Sequence, residues 1–308
     1  MVKAADRAVE IGASAIQVFS DNPTAWRRRP TLPHDLPAFR DRLAVADIAP
    51  VSIHAPYLVN LAGPDPEVFR RSVDVLVNEL GVADAYGAAF LNVHVGSHRG
   101  DGVDAGAGRL AQGLAAVFER LGSAAGSTVV TMENGAGAGF GMGVTMEELG
   151  QIDDAVAAAG VDRDRYAFCL DTAHLWGAGY AIDSAAGVDD VVARFGDRLG
   201  IGRLRMVHLN DSRSALGSRD DRHEHVGAGR IGGAGIARFA THPDLDHVAY
   251  YLETPGMEDG YDAVNVARVQ DLVAGRPLAD LPPEAFHTRR SKGHSAPPED
   301  LDDADGGR

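Results

Sequence analysis

The sequence predicts an α/β fold, a TIM-type (β/α)8 barrel that lacks its first β-strand and is followed by a disordered C-terminal tail. Three observations carry this expectation. Short β-branched or apolar runs alternate with longer helical patterns from the start to about residue 275, the signature of parallel βαβ units with right-handed crossovers. Six consecutive candidate strands end in a His, Asp or Glu directly after an apolar run. The 308 residues, 45% hydrophobic and 24% charged, suit one barrel domain of about 250 residues with an appendage.

The chain opens in a helical run, 2–11, with no strand before it. Candidate strands follow at 15–20, 51–55, 90–95, 128–134, 166–172, 203–211 and 249–255. Between them, 66–86 repeats Val68, Val75, Leu76 and Leu80 at helical spacing, and further helices are expected at 108–121, 146–159, 185–195 and 261–273. Seven strands after an opening helix make an eight-stranded barrel without strand one. Such a barrel exposes two strand edges, so either the true start lies upstream of Met1 or the protein is a degenerate copy, and the first explanation is favoured. An open doubly wound sheet is the alternative, but no dinucleotide fingerprint opens the chain. Residues 1–276 are expected to form the barrel. Residues 277–308, with Pro277, Pro282, Pro283, Pro297 and Pro298, a basic patch at Arg289, Arg290 and Lys292 and an acidic end, form the tail.

Composition excludes several classes. No stretch approaches the ~18 apolar residues of a membrane span, and no signal peptide opens the chain, so a cytoplasmic protein without a membrane role is expected. The single cysteine, Cys169, rules out an internal disulfide and a Cys-based zinc finger; it lies in an apolar run and is expected in the core. A balance of 29 Lys+Arg against 44 Asp+Glu, net −15, argues against a generally basic nucleic-acid binder. It leaves room for one whose positive potential comes from metal ions.

The chemistry sits at the strand ends. His54, His94, Glu133, Asp171, His208 and Glu253 close six successive candidate strands, which a barrel brings together on the face where its active sites lie. Any one of them alone would be ordinary; six in succession are not. His174, just past Asp171, and the pair Asp221 and His223 in a long polar loop bring the ligand-type groups to nine. Imidazoles mixed with carboxylates suit Zn²⁺, Mn²⁺ or Fe²⁺ better than Mg²⁺ or Ca²⁺. One ion takes three or four protein ligands, so nine groups are enough for about three ions, with Glu133 able to bridge two.

These residues resemble a known family. His208-Leu-Asn-Asp-Ser-Arg213 and Gly217-Ser-Arg-Asp-Asp-Arg-His223 look like the signature of the endonuclease IV family of apurinic/apyrimidinic (AP) endonucleases. His54-Ala-Pro-Tyr-Leu-Val-Asn60, Leu91-Asn-Val-His-Val-Gly-Ser-His98, Glu133-Asn-Gly-Ala-Gly137 and Cys169-Leu-Asp-Thr-Ala-His174 match its other blocks in order, from about Val2 to about Ala274. The resemblance implies a (β/α)8 barrel with three Zn²⁺ ions (Mn²⁺ a substitute) that hydrolyses duplex DNA 5′ to abasic sites, leaving a 3′-hydroxyl and a 5′-deoxyribose phosphate, in base excision repair. It implies that His54, His94 and Glu133 hold a first zinc. Glu133 bridges to a second, held also by Asp171, His208 and Glu253, and His174, Asp221 and His223 hold the third. Glu133 is the catalytic residue implied, with a zinc-activated water as nucleophile.

The resemblance also implies DNA contacts by Tyr57 and Leu58 after the strand at 51–55, by Asn22 and Trp26 in an earlier loop, and by Arg222. Thr24 stands where the family usually carries arginine, and Arg27, Arg28 and Arg29 follow as substitutes. Arg99, Arg213, Arg219 and Arg230 lie in loops of the same face. No obligate protein partner is implied, and a monomer is expected. Two rival readings are a xylose-isomerase-like sugar isomerase or epimerase, using Glu133, Asp171, His208 and Glu253 around one divalent ion, and a zinc-containing binder of damaged DNA that does not cut. Of the remaining signals, Gly227–Gly232 formally matches G-x-G-x-x-G but follows a polar loop rather than a strand. The alternate glycines from Gly135 to Gly143 read as a mobile loop, and His98 and His225 as supporting or surface residues.

Overall fold

The computed structural model describes residues 1–287. Seven parallel strands form one sheet in the order β1 (Ile16–Val18), β2 (Val51–His54), β3 (Ala88–His94), β4 (Val129–Glu133), β5 (Tyr166–Asp171), β6 (Leu204–His208) and β9 (Ala249–Tyr251), curled into a nearly closed TIM-like barrel. A two-stranded antiparallel hairpin, β7 (Asp211–Ser212) with β8 (His223–Glu224), rises from the loop after β6. No helix among the described residues is long and apolar enough to cross a membrane.

Two apolar layers hold the barrel. The larger lies between sheet and helices and contains Ile53, Leu91, Val93, Met132, Phe168, Leu170 and Val207 from the strands. The smaller plugs the barrel interior with Phe90, Cys169, Met206 and Tyr251, one each from β3, β5, β6 and β9. Strand side chains alternate between faces, so the residues two positions onward also point inward: Asn92, Asp171, His208 and Glu253. By the same parity Ser52 precedes His54 and Thr131 precedes Glu133. The interior is thus greasy low in the barrel and becomes a set of ligand-type side chains at the carboxyl ends. Cys169 belongs to the plug, as expected, and burial pushes its thiol up to about 11, so it stays protonated.

The helices follow local signals. α3 (Pro66–Tyr86) starts with Pro66 in its first turn, with the Asp65 carboxylate accepting from the amides of Glu67 and Val68, and stops at Gly87 (φ 68°). α1 (Val2–Glu10), α4 (Val103–Leu121), α5 (Met146–Ala158), α7 (Ala185–Leu199) and α9 (Tyr261–Val273) lie where the periodicity places them, within a turn or so at their ends. Three further helices were not expected. α2 (Leu36–Val45) follows a proline-rich run and buries only Leu36, Phe39 and Leu43. α6 (Thr172–Ala178) begins where β5 ends, with no loop between them. α8 (Gly232–Ala240) contains Gly233 and Gly235, which count against a helix. A Cβ at Gly235 would meet the Ile182 carbonyl oxygen at 1.9 Å, so its glycine serves close packing.

Part of the segment expected as tail, 277–287, lies among the described residues. Residues 277–287 pack on the barrel and end in a 3-10 turn, Pro283–His287, that buries Ala285. Nε2 of buried His225 donates to the Ala285 carbonyl (2.9 Å), and Arg268 Nη1 donates to the Ala279 carbonyl (2.6 Å). Composition did not reveal this because the segment is held by its backbone carbonyls. The rest of the tail, 288–308, lies outside the described residues.

β1 and β9 are the edges of the sheet and do not pair with each other. Side chains bridge the seam: Gln17 Nε2 donates to Glu253 Oε1 (3.0 Å), the Tyr251 hydroxyl to the Pro50 carbonyl (3.1 Å), and Gln270 Nε2 to the Gly12 carbonyl (3.4 Å). Outside the sheet, Arg7 of α1 grips Asp262 of α9 through Nε (2.8 Å) and Nη2 (2.5 Å). That bidentate bond holds the Asp262 carboxyl below its ordinary 3.8. A depressed native pKa adds stability above the ordinary value and loses it as pH falls through the native one. Asp262→Asn is therefore expected to lower the Tm at pH 7 by roughly 1–3 °C. The gap should close as the pH falls below 3.8; calorimetry at pH 7 and pH 3 checks this, and an undiminished gap at pH 3 would contradict it.

Candidate metal centre

The strand register assembles the cluster. In the β3–β4 ladder His94 stands opposite Glu133, and in β5–β6 Asp171 stands opposite His208. Glu133 is at the centre, buried, with Oε1 3.3 Å from His208 Nδ1 and 3.4 Å from His174 Nδ1, and Oε2 3.7 Å from His54 Nε2 and 3.8 Å from His94 Nε2. Burial alone would raise its pKa; His94 and His208 outweigh that and hold it well below the usual range. Asp171 caps α6, accepting from the His174 amide at 2.8 Å, so that the start of this helix sets His174 beside it. The β7–β8 hairpin presents the rest: Asp221 Oδ1 lies 3.0 Å from His223 Nε2 and Oδ2 lies 3.3 Å from His174 Nε2.

Three ligand groups result. His54, His94 and Glu133 form one; Glu133, Asp171, His208 and Glu253 form the second; Asp171, His174 and His223 form the third. The first two coincide with the sets the sequence resemblance implied. In the third, Asp171 joins His174 and His223, and the expected Asp221 lies beside both imidazoles.

The imidazoles are preset. His54 Nδ1 pairs with the Ala55 carbonyl (2.7 Å), His174 Nδ1 with the Asn134 carbonyl (2.8 Å) and His223 Nδ1 with the Glu253 carbonyl (2.8 Å). Each carbonyl fixes a proton on Nδ1 and turns Nε2 inward. His208 is reversed: Nε2 faces Gln17 Oε1 (3.2 Å) and Nδ1 faces the cluster. Burial would lower His223, but Asp171 and Asp221 outweigh it and push it up to about 10, and His174 and His208 also rise well above 6.5.

These residues fit metal ions. Among the described residues the buried nitrogens His208 Nδ1 and His223 Nε2 have no hydrogen-bond partner, although carboxylate oxygens lie 3.0–3.9 Å away. Ligands ~2.1 Å from a tetrahedral zinc sit roughly 3.4 Å apart, so this spacing suits groups aimed at a shared ion rather than at each other.

Sequence reasoning missed the residues that orient the ligands. Asn92 Nδ2 donates to Glu133 Oε2 (2.5 Å), and Asn210 Nδ2 to Asp171 Oδ2 (2.6 Å). Asn134 Oδ1 accepts from the Asp171 amide (2.7 Å), and Gln17 joins Glu253 to His208. Their signal was position: each asparagine lies one or two residues from a ligand at a strand end.

The residues expected to contact DNA are less uniform. Tyr57 is 53% exposed, its ring 5.6 Å from His54 and 5.4 Å from Phe19. Leu58 is half-buried. Asn22 is exposed and its Oδ1 accepts from Thr24 N and Oγ1, both 2.9 Å. Trp26 packs against the core, with the Arg71 guanidinium 5.9 Å above its ring. Arg222 is half-buried, its carbonyl accepting from the Arg213 amide (3.1 Å). Of the arginines after Thr24, Arg28 turns inward onto buried Glu79 (3.4 Å) and Arg29 onto Asp21 (3.2 Å), whereas Arg27 is exposed.

A TIM-type barrel with a cluster of three metal-ligand groups at its carboxyl ends defines the class of protein. The model of the xylose isomerase-like TIM barrel family matches residues 5–273. A protein named "Probable endonuclease 4" from Methanoculleus marisnigri is 38% identical over 270 residues, covering 88% of this chain and 94% of that relative. Another of the same name, from Halothermothrix orenii, is 34% identical over 271 residues, covering 87% and 95%. The crystal structure of endonuclease IV from Thermus thermophilus matches with a TM-score of 0.76 at 32% identity, covering 89% of this chain and 94% of that one. The chain belongs to the endonuclease IV family. A D-tagatose 3-epimerase-like protein shares the fold at 16% identity and a TM-score of 0.63.

Because ions would complete the unpartnered nitrogens, stripping divalent metal with a chelator should lower the Tm by roughly 5–10 °C, and zinc should restore it. An unchanged Tm in protein shown by elemental analysis to be metal-free would contradict this.

Proposed function

We propose that the protein is a zinc-dependent AP endonuclease that hydrolyses the phosphodiester 5′ to abasic sites in duplex DNA, leaving a 3′-hydroxyl and a 5′-deoxyribose phosphate. One observation carries the reading: all nine ligand-type side chains are present in a chain of this family and gather around Glu133 and Asp171. His54, His94 and Glu133 would hold one ion, Glu133, Asp171, His208 and Glu253 a second, and His174, His223 and Asp221 a third, with zinc favoured by the imidazole–carboxylate mixture and manganese a substitute. Ions bound there would supply positive charge to the phosphate and lower the pKa of water towards neutrality.

The chain's own residues do the positioning. Asn92 and Asn210 hold the two shared carboxylates, and the carbonyls of Ala55, Asn134 and Glu253 hold three imidazoles. Tyr57, exposed beside His54, is set to meet the DNA; Leu58, Asn22, Trp26 and Arg222 are assigned the same role from their places in the family's motifs. The reading implies a repair enzyme of the cytoplasm acting on the chromosome, as a monomer. A mononuclear sugar isomerase would use Glu133, Asp171, His208 and Glu253 and leave His54, His94, His174, Asp221 and His223 without a task.

His94→Ala is expected to reduce incision of a duplex oligonucleotide carrying one abasic analogue by at least ~10²-fold with the barrel still folded. The zinc-loaded parent should cut 5′ to the lesion, and the product ends are read on a sequencing gel. Equal cutting by the variant, or no cutting by a fully loaded parent, would sink the proposal.

A further inference from the structure

On the rim of the same face stands an aromatic platform that none of the ligand or DNA motifs accounts for. Phe140 is 54% exposed at the tip of the glycine-rich loop that follows Glu133. A single exposed Phe is ordinary, but this one is built in. Its ring packs on His98 (centroids 5.5 Å apart), and His98 is fixed in turn because its Nδ1 accepts from the amides of Gly100 (3.1 Å) and Gly102 (2.9 Å). The His98 amide donates to the Phe140 carbonyl (3.1 Å), Ser97 bridges Gly141, and Met142 N donates to the Gly96 carbonyl (3.0 Å). Gly139 (φ 56°) and Gly143 (φ 68°) supply the left-handed turns this path needs.

Two exposed arginines stand on the backbone next to this platform, one beside His98 in sequence and one against the start of the glycine-rich loop. Arg99 follows His98 directly, and the Arg219 side chain lies 3.5 Å from where a Cβ on Gly137 would stand. Both hold positive φ (55° and 61°), which among the described non-glycine residues only Asp47 shares; such backbone is strained and tends to gather at functional sites. Exposed aromatic surface with cations beside it is the arrangement that takes nucleic acid, bases on the ring and phosphates on the guanidinium groups. His98 is four residues from His94, so it lies within roughly 14 Å of that ligand, about four base-pair steps of ~3.4 Å.

We propose that Phe140 stacks on a nucleobase left without a neighbour near the lesion, with Arg99 and Arg219 on the adjacent phosphates. This rests on the endonuclease reading. An abasic site deprives the flanking bases of a stacking partner and the opposite base of its pair; the platform offers the missing π-face.

The test is fluorescence anisotropy with zinc-loaded full chain, on a duplex carrying one tetrahydrofuran abasic analogue and on the same duplex undamaged. Phe140→Ala should weaken binding to the abasic duplex roughly tenfold, leave the undamaged duplex nearly as before, and keep the parent's zinc content and Tm, while Phe140→Trp should retain affinity. In incision assays the loss should fall in KM rather than kcat. Arg99→Ala should reduce the salt dependence of log K by about one. Equal weakening on both duplexes, unchanged affinity, or loss of zinc from Phe140→Ala would overturn the inference. Failure of the endonuclease reading looks different: a parent that neither prefers nor cuts the abasic duplex.

Discussion

The site depends on one constraint, the burial of the Glu133 carboxylate at the end of β4 within 3.3–3.8 Å of four imidazoles. An ionised carboxylate is not left alone in an apolar interior. Here Asn92 bonds it directly, and the imidazoles surround it from β2, β3, α6 and β6. The barrel interior makes this possible because Phe90, Cys169, Met206 and Tyr251 close it from below, so the polar layer is confined to the last turn of the pleat. The same two-residue alternation that puts a core residue at 169 and 206 puts a metal-ligand candidate at 171 and 208.

Much of this was legible in the sequence, for a physical reason. A parallel barrel buries its strands on both faces, so a strand reads as an apolar run and a His, Asp or Glu at its end stands out. His54, His94, Glu133, Asp171 and His208 were readable in that way, and the motif resemblance assigned them to groups that the geometry brings together, with Asp171 as well as Asp221 beside the two imidazoles of the third. Glu253 is two residues past the end of β9, yet keeps the inward parity. What the sequence did not disclose was held by the backbone or by tertiary packing. α6 needs no loop because Asp171 is at once strand end, ligand candidate and helix cap. α8 tolerates its glycines because the neighbouring Ile182 carbonyl leaves no space for a side chain. Residues 277–287 read as tail because their anchors are carbonyls gripped by His225 and Arg268.

The acidic character of the chain and a DNA substrate are compatible on this account. The net charge of −15 repels a duplex at long range, so attraction must be local. Metal ions would provide it at the cluster, and exposed arginines such as Arg27, Arg99, Arg213, Arg219 and Arg230 provide it around the rim. Arg28 and Arg29 contribute less than their run suggests, since Glu79 and Asp21 engage them.

The central claim is that the shared carboxylates organise three ions rather than one. Anomalous diffraction at the zinc edge, from crystals of the zinc-loaded protein, tests it most directly. The account predicts three peaks, one between His54 and His94, one between His208 and Glu253, and one between His174 and His223, with Glu133 contributing to the first two. A single peak confined to Glu133, Asp171, His208 and Glu253 at saturating zinc would contradict it.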